Sequence, residues 1–191
     1  DVMLAAGYTL TDDKGDIAVV NSCAVTSMAV KKARQLVSHL KSEAPDTIVI
    51  LCGCFPQCYA GEASQTAADI ILGNAAKADI PFLLGEYLKT REKRVYINPL
   101  PREFDLRCAG ADLDRTRAFI KVEDGCDRFC TYCIIPTARG RVRSMPTEEI
   151  TRQAQRAADS GHKEIVLTGI NLSCYGQELD LTLADAVKVA D

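Results

Sequence analysis

The sequence predicts an α/β protein: an open sheet of parallel strands, followed by the start of a parallel (β/α) barrel. Short apolar runs rich in Val, Ile and Leu alternate with segments of helical length and pattern. The residues just after these runs, where ligands of such sheets bind, are rich in Cys, Gly and Asn. A charged, proline-bearing stretch over residues 89–116 interrupts the rhythm and divides the chain in two. With 191 residues, 47% of them hydrophobic, the chain is long enough for one large core or two modest ones.

The elements follow in order. Residues 1–6 read as the end of a helix stopped near Gly7. Ile17, Ala18, Val19, Val20 and Asn21 form a short run expected to be a buried parallel strand. Thr26 is placed to cap a helix over residues 27–42, whose basic face carries Lys31, Lys32, Arg34 and Lys41. Ala44, Pro45 and Asp46 end it, and residues 47–51 form the next strand. Residues 52–57, with Gly53 and Pro56, read as a loop. Residues 70–72 form a third strand, and a helix spans about residues 77–88. Residues 95–97 read as an isolated strand.

In the second half, residues 118–122 form a strand that feeds a cysteine-rich loop. Ser144 or Thr147 can cap the next helix, with Pro146 suited to its first turn and Glu148 and Glu149 favoured by its dipole. That helix runs to about Ser160 and stops at Gly161. Residues 164–168 form a further strand, with Gly169, Ile170 and Asn171 at its carboxyl end, and residues 181–190 begin another helix.

Nine cysteines, an odd number in metal-like spacings, favour cluster chemistry in a reducing compartment over a disulfide framework. Cys126, Cys130 and Cys133 are separated by three residues and then two. Three thiolates this close can wrap one metal centre while leaving one coordination position open. A zinc knuckle borrowing Cys108, Cys174 or His162, an electron carrier with a fully ligated cluster, and a set of buried thiols are the alternatives. Cys23 and Cys54 each follow a strand, so they can meet in space across 31 positions of sequence.

Net charge is −3, which argues against general nucleic-acid binding, but the distribution is uneven. Arg115, Arg117, Lys121, Arg128, Arg139, Arg141 and Arg143 stand against Glu123, Asp124 and Asp127, a local balance of about +4 beside the cysteines. Such a segment is either a solvated loop or a surface for phosphates of an RNA or a cofactor. No apolar stretch of about 18 residues suggests a membrane span, and no signal peptide is visible.

The three-cysteine loop, flanked by Asp124-Gly125 and Ile134-Ile135-Pro136, resembles the cluster loop of the radical S-adenosylmethionine (SAM) enzymes. The whole chain is similar to their methylthiotransferase family. Asn21-Ser22-Cys23-Ala24-Val25-Thr26 resembles the family's Asn-Thr-Cys-x-Val-Thr, and Gly53-Cys54-Phe55-Pro56-Gln57 its Gly-Cys-Tyr-Ala-Gln. Residues 116–121, Ala138-Arg139-Gly140 and residues 164–171 match it as well. Within the family, residues 124–136 and 167–176 are most similar to the branch acting on N6-threonylcarbamoyladenosine of tRNA. Branches acting on isopentenyl-adenosine tRNA and on a ribosomal protein rank behind it.

The resemblance implies a Rossmann-like methylthiotransferase domain over residues 1–100, a linker over 101–116 and a radical SAM domain from 117 to 191. It implies two [4Fe–4S] clusters. Cys126, Cys130 and Cys133 would hold the SAM-binding one, and Cys23 and Cys54 would contribute to an auxiliary one. Tyr132 would border the SAM adenine, and Thr168, Gly169 and Asn171 would occupy the place of a glycine-rich segment near the SAM amino group. Arg139, Arg141 and Arg143 are candidates for RNA or for the SAM carboxylate. One SAM would give a methyl to sulfur on the auxiliary cluster. A second would be cleaved to a deoxyadenosyl radical that takes hydrogen from C2 of the adenine at position 37, where CH3–S is installed. The expected partners are a tRNA anticodon loop and a small electron donor such as flavodoxin or ferredoxin, in the cytoplasm.

The chain departs from the family pattern in three ways. The family's auxiliary cluster takes a third cysteine from a Leu-Gly-Cys motif on a strand before Asp1, and the chain lacks both. Cys52 and Cys58 flank Cys54, and neither is expected to stand in. The rest of the barrel and a small C-terminal RNA-binding domain are also absent from these 191 residues.

Overall fold

The computed structural model describes residues 2–12, 14–108 and 116–191. Arg115 and the Cys108 side chain, both weighed above, lie outside the described residues. The chain forms two compact units, one of Asp1–Leu100 with Tyr132–Ala138, the other of Pro101–Thr131 with Arg139–Asp191.

In unit 1, a helical turn α1 (Val2–Ala5) precedes strand β1 (Ile17–Ser22) and helix α2 (Ser27–Glu43). Thr26 caps α2 as expected, its hydroxyl accepting from the Ala29 N–H at 3.1 Å. Strand β2 (Ile48–Gly53), short helices α3 (Cys54–Cys58) and α4 (Ala60–Ser64), and strand β3 (Ile70–Leu72) follow. A 3-10 turn (Asn74–Asp79), helix α5 (Ile80–Thr90) and strand β4 (Arg94–Tyr96) complete the unit. All four strands are parallel, in the order β1-β2-β3-β4.

β2 is buried at all six positions because both sheet faces are covered. Its side chains alternate: Ile48, Ile50 and Cys52 pack on one face with Leu83, Leu84 and Tyr87 of α5, while Val49 and Leu51 pack on the other with Ala33 and Val37 of α2. Asp69 locks this arrangement. It pairs with Lys41 at 2.6 Å, accepts from the Val49 N–H at 2.8 Å and accepts from the Tyr87 hydroxyl at 2.9 Å.

Three details correct the sequence reading. The segment read as a loop after the second strand is α3, because a proline at Pro56 sits in the first helical turn, where its missing N–H would be unbonded anyway. The helix read from residue 77 begins as a 3-10 turn and becomes α-helical only at Ile80, with Pro81 in its first turn. The strand read as isolated is β4, which pairs with β3 in the register Ile71↔Val95.

In unit 2, strand β5 (Ala118–Lys121) runs parallel to β8 (Ile165–Thr168). Two-residue strands β6 (Glu123–Asp124) and β7 (Arg143–Ser144) pair antiparallel. Between them lies α6 (Ile135–Arg139), all of which but Arg139 groups with unit 1. Helix α7 (Thr147–Asp159) puts Ile150 and Ala154 against Ile120, Val122 and Met145. Helix α8 (Leu183–Ala190) opens on a capping box, Thr182 and Asp185 each satisfying the other's backbone. The segment read as a linker joins unit 2 at Pro101, where the Pro101 carbonyl accepts from Arg143 at 3.0 Å. Within the stretch read from residue 117 as one domain, Tyr132–Ala138 packs with unit 1. There Asn74 donates to the Ala138 carbonyl at 2.6 Å, and Ala138 packs with Ala24 and Cys54.

Replacing Asp69 by Ala strands the Val49 N–H and leaves Lys41 bonded to backbone carbonyls without its counter-charge, and is expected to lower stability by about 1–3 kcal/mol. Denaturant unfolding of the variant against the parent protein checks this, and an unchanged midpoint would contradict it.

Candidate functional site

In unit 1, β1 and β2 are in register with Ser22 opposite Gly53, and the Ser22 hydroxyl donates to the Cys52 carbonyl at 2.7 Å. Cys23 and Cys54 are therefore each one residue beyond equivalent points on neighbouring strands. Gly53 has φ +107°, and a Cβ there would run into the Ser22 carbonyl, so glycine is required at this close approach. Cys23 is exposed, its sulfur accepting from the Val25 N–H at 3.4 Å. Cys54 is buried, with the Asn74 amide donating to its sulfur at 3.5 Å.

The two flanking cysteines separate. Cys52 lies in the core on the α5 face of the sheet, its thiol 3.9 Å from the Asn21 side-chain oxygen. Cys58 comes one helical turn after Cys54 and packs beside it with Ala24 and Val30. Burial, with smaller contributions from the neighbouring Cys54 and Cys23, pushes the Cys58 thiol up to about 11. Three thiols thus share one neighbourhood, two expected from the sequence and one not.

In unit 2, Gly125 has φ +93°, and a Cβ there would strike the Arg141 carbonyl. The Cys126 N–H donates to the Gly140 carbonyl at 3.0 Å, and Phe129 adopts a left-handed φ of 45°. These features close the loop that presents Cys126, half-buried, and Cys130, exposed. Cys133 and the almost fully exposed Tyr132 group with unit 1. Among the described residues, no group of three or more Cys, His, Asp or Glu side chains is set to hold a metal ion.

The loop after β8 meets the Cys126 loop. The Asn171 N–H donates to Glu123 Oε2 at 2.7 Å, and its side-chain amide lies 3.9 Å from the Cys126 sulfur and 3.1 Å from that of Cys174. Asn171 therefore stands between two thiols, with Thr168 and Gly169 just before it on the chain. Glu123 is fully buried, and its other oxygen has no hydrogen-bond partner among the described residues. Burial raises its pKa above the usual carboxylate range, the Asp124 and Glu178 charges add to the rise, and the Asn171 and Ile170 N–H groups oppose it.

The arginines expected to face RNA are engaged within the protein. Asp124 pairs with Lys121 at 3.0 Å and with Arg139 and Arg143 at 3.4 Å. Burial alone would raise the Asp124 pKa, but these cations hold it below the usual range. Arg143 is buried and also donates to the Pro101 carbonyl, so as placed it presents no surface to a phosphate. Arg139 is half-buried, and Arg141 is exposed over the Phe129 ring with Asp127 at 3.8 Å. Glu123 was not singled out from the sequence, Cys174 was named only as an alternative zinc ligand, and Cys58 was not expected to stand in as a ligand. The one usable signal was for Cys58, since spacing of four on a helix shares a face with Cys54.

Replacing Glu123 by Ala should free the Asn171 amide and speed its hydrogen exchange, with a stability loss of about 1–3 kcal/mol. Glu123→Gln keeps an oxygen acceptor at that point and should retain the amide's protection. Equal protection in both variants would show that the contact does not hold the loop.

Residues 1–73 match the model of the Uncharacterized protein family UPF0004, and residues 120–188 match that of the Radical SAM superfamily. The chain is 40% identical to the threonylcarbamoyladenosine tRNA methylthiotransferase MtaB of Aquifex aeolicus, over 96% of this chain and 47% of that protein. It is 38% identical to the protein of the same name from Bacillus subtilis, over 91% of this chain and 40% of that one. A tRNA-2-methylthio-N(6)-dimethylallyladenosine synthase of Staphylococcus saprophyticus is 32% identical, over 94% and 37%. The chain thus spans less than half the length of these relatives. With the two family models matched one after the other, and with these alignments running nearly end to end, the chain belongs to the radical SAM methylthiotransferase family.

Proposed function

We propose that this chain is part of an enzyme that adds a CH3–S group to C2 of N6-threonylcarbamoyladenosine at position 37 of tRNA. The observation that carries the reading is the meeting of the Cys126 loop with Asn171, at the carboxyl ends of the paired parallel strands β5 and β8. That is where a (β/α) barrel collects its reacting groups. The substrate branch is favoured by identities of 40% and 38% to MtaB proteins, against 32% to a dimethylallyladenosine synthase.

The donor chemistry fits iron–sulfur ligation. Cys126, Cys130 and Cys133 are free thiols, two half-buried and one exposed, and thiolates are the ligands such clusters take. Cys23 and Cys54 would hold the auxiliary cluster, with Cys58 beside them. When bound, the SAM-binding cluster supplies the electron that cleaves SAM, and the auxiliary one carries the sulfur to be transferred. The protein's own part is positional. Asn171 offers its amide beside the Cys126 sulfur, and Glu123 holds the Asn171 backbone. The loop of Thr168, Gly169 and Asn171 would hold the SAM amino group, and Tyr132 would border its adenine. Arg141, still exposed, is the arginine left for an RNA phosphate. The partner that would supply the electron is a small donor protein such as flavodoxin or ferredoxin, and a tRNA substrate would place the enzyme in the cytoplasm.

The test is electron paramagnetic resonance on the anaerobically reconstituted, reduced protein, with and without SAM. A [4Fe–4S] signal that changes shape with SAM is expected, and Cys130→Ala should abolish both that change and SAM cleavage. A signal indifferent to SAM, or zinc in place of iron, would overturn the reading. In the full-length protein, Cys23→Ala should leave SAM cleavage intact while abolishing methylthio product in tRNA. Product at the parent level from that variant would remove Cys23 from the auxiliary site.

A further inference from the structure

Unit 1 contains a cavity of ≈ 790 Å3, a size suited to a nucleoside or a compact substituent. Its wall includes Lys31, Arg34 and Gln35 of α2, together with Tyr59 and Tyr132, all within unit 1. Tyr59 is 38% exposed, its ring tilted against Phe55, and the exposed part is available to stack on a base. Arg34 is tied to Glu62 at 3.4 Å. Lys31 is exposed and carries no ion pair among the described residues. The wall therefore has one uncompensated positive charge, next to an amide that can both donate and accept. The cavity also adjoins the thiol neighbourhood, since Ala24 lines it and packs with Cys54 and Cys58.

We infer that this cavity reads the anionic substituent of the modified adenine, with Lys31 pairing its carboxylate. The inference rests on the function proposed above and deepens it. A threonylcarbamoyl group ends in a carboxylate and carries a hydroxyl and amide groups. A dimethylallyl group has none of these. Lys31 answers the carboxylate, Gln35 can bond the hydroxyl or amide, and Tyr59 can stack on the purine. The position of Lys31 in the early turns of α2 adds to the attraction, because the positive end of the helix dipole points the same way. A phosphate of the RNA backbone shares the chemistry that Lys31 recognises, so the experiment must separate the two anions.

Affinities would be measured for the full-length reconstituted protein and three anticodon stem-loops. The adenine would carry the threonylcarbamoyl group, its methyl ester or a dimethylallyl group. The parent protein is expected to prefer the free acid over the ester by about tenfold, the scale of one charge-assisted contact. Lys31→Met keeps the aliphatic stem and should erase this preference while leaving the ester's affinity unchanged. Lys31→Arg should retain it. Three results overturn the inference: no preference in the parent protein, a preference that survives in Lys31→Met, or equal weakening of all three RNAs, which marks a phosphate contact. Methylthiolation assays on the same RNAs separate the two readings. If the parent protein modifies the threonylcarbamoyl RNA while Lys31→Met keeps its preference, the inference about Lys31 fails alone. If it modifies the dimethylallyl RNA instead, the proposed substrate fails with it.

Discussion

A parallel register shifted by one residue would part Cys23 from Cys54. Both cysteines depend on the pairing of Ser22 with Gly53, and that pairing depends on the branched side chains of β1 and β2 packing on both faces of the sheet. A slip of one position would turn every inward side chain of β2 to the opposite face. The thiols are thus placed by the core rather than by their own contacts. The same rule operates in unit 2, where Ile120 pairs with Leu167 and the loops carrying Cys126 and Asn171 leave the same ends of β5 and β8. Reactive groups at strand ends inherit the rigidity of the sheet, and the loops themselves need few bonds to fix them.

The local charge shows how far composition can be trusted. Seven cations crowd residues 115–143, and a count of charges reads them as one basic surface. Folding divides them. Arg117 pairs with Glu164 at 2.8 Å, while Lys121, Arg139 and Arg143 converge on Asp124. The cross-strand register puts Asp124 directly opposite Arg143, so the most buried arginine is a strand-pairing residue. Arg128 and Arg141 remain exposed. The segment is therefore less available to phosphates than its sequence suggests, and the uncompensated Lys31 becomes the more informative cation.

Most of the fold was legible in the sequence because long apolar runs and caps speak for themselves. Thr26 and the run at residues 164–168 marked their elements to within a residue or two, whereas neither Ser144 nor Thr147 caps α7: Pro146 stands at its N-cap without a side-chain bond, and the Ser144 hydroxyl accepts from the Gly176 N–H instead. The misreadings share one origin, the treatment of proline and short strands as breaks. Pro56 suggested a loop, and that reading concealed the geometry of the site. In a loop, Cys52 and Cys58 are equivalent neighbours of Cys54. In the structure, the strand's period of two sends Cys52 into the core, and the helix's period brings Cys58 back to Cys54. Glu123 was invisible for another reason. A carboxylate next to Asp124 counts as one more surface charge until the strand that holds both is known.

That strand gives the two adjacent acids opposite surroundings. Successive side chains in β6 point to opposite sides, so Asp124 meets three cations while Glu123 meets the loop after β8. The first carboxyl is held ionised, and the second is pushed toward its neutral form by the loss of water. A buried carboxyl with one bonded and one unbonded oxygen tolerates little movement of the loop above it. The fit is close enough that a Cβ on residue 169 would lie 2.7 Å from Glu123 Oε2. Gly169 is therefore needed for the approach to Glu123, and its presence in the sequence follows from packing whether or not its N–H also serves a ligand.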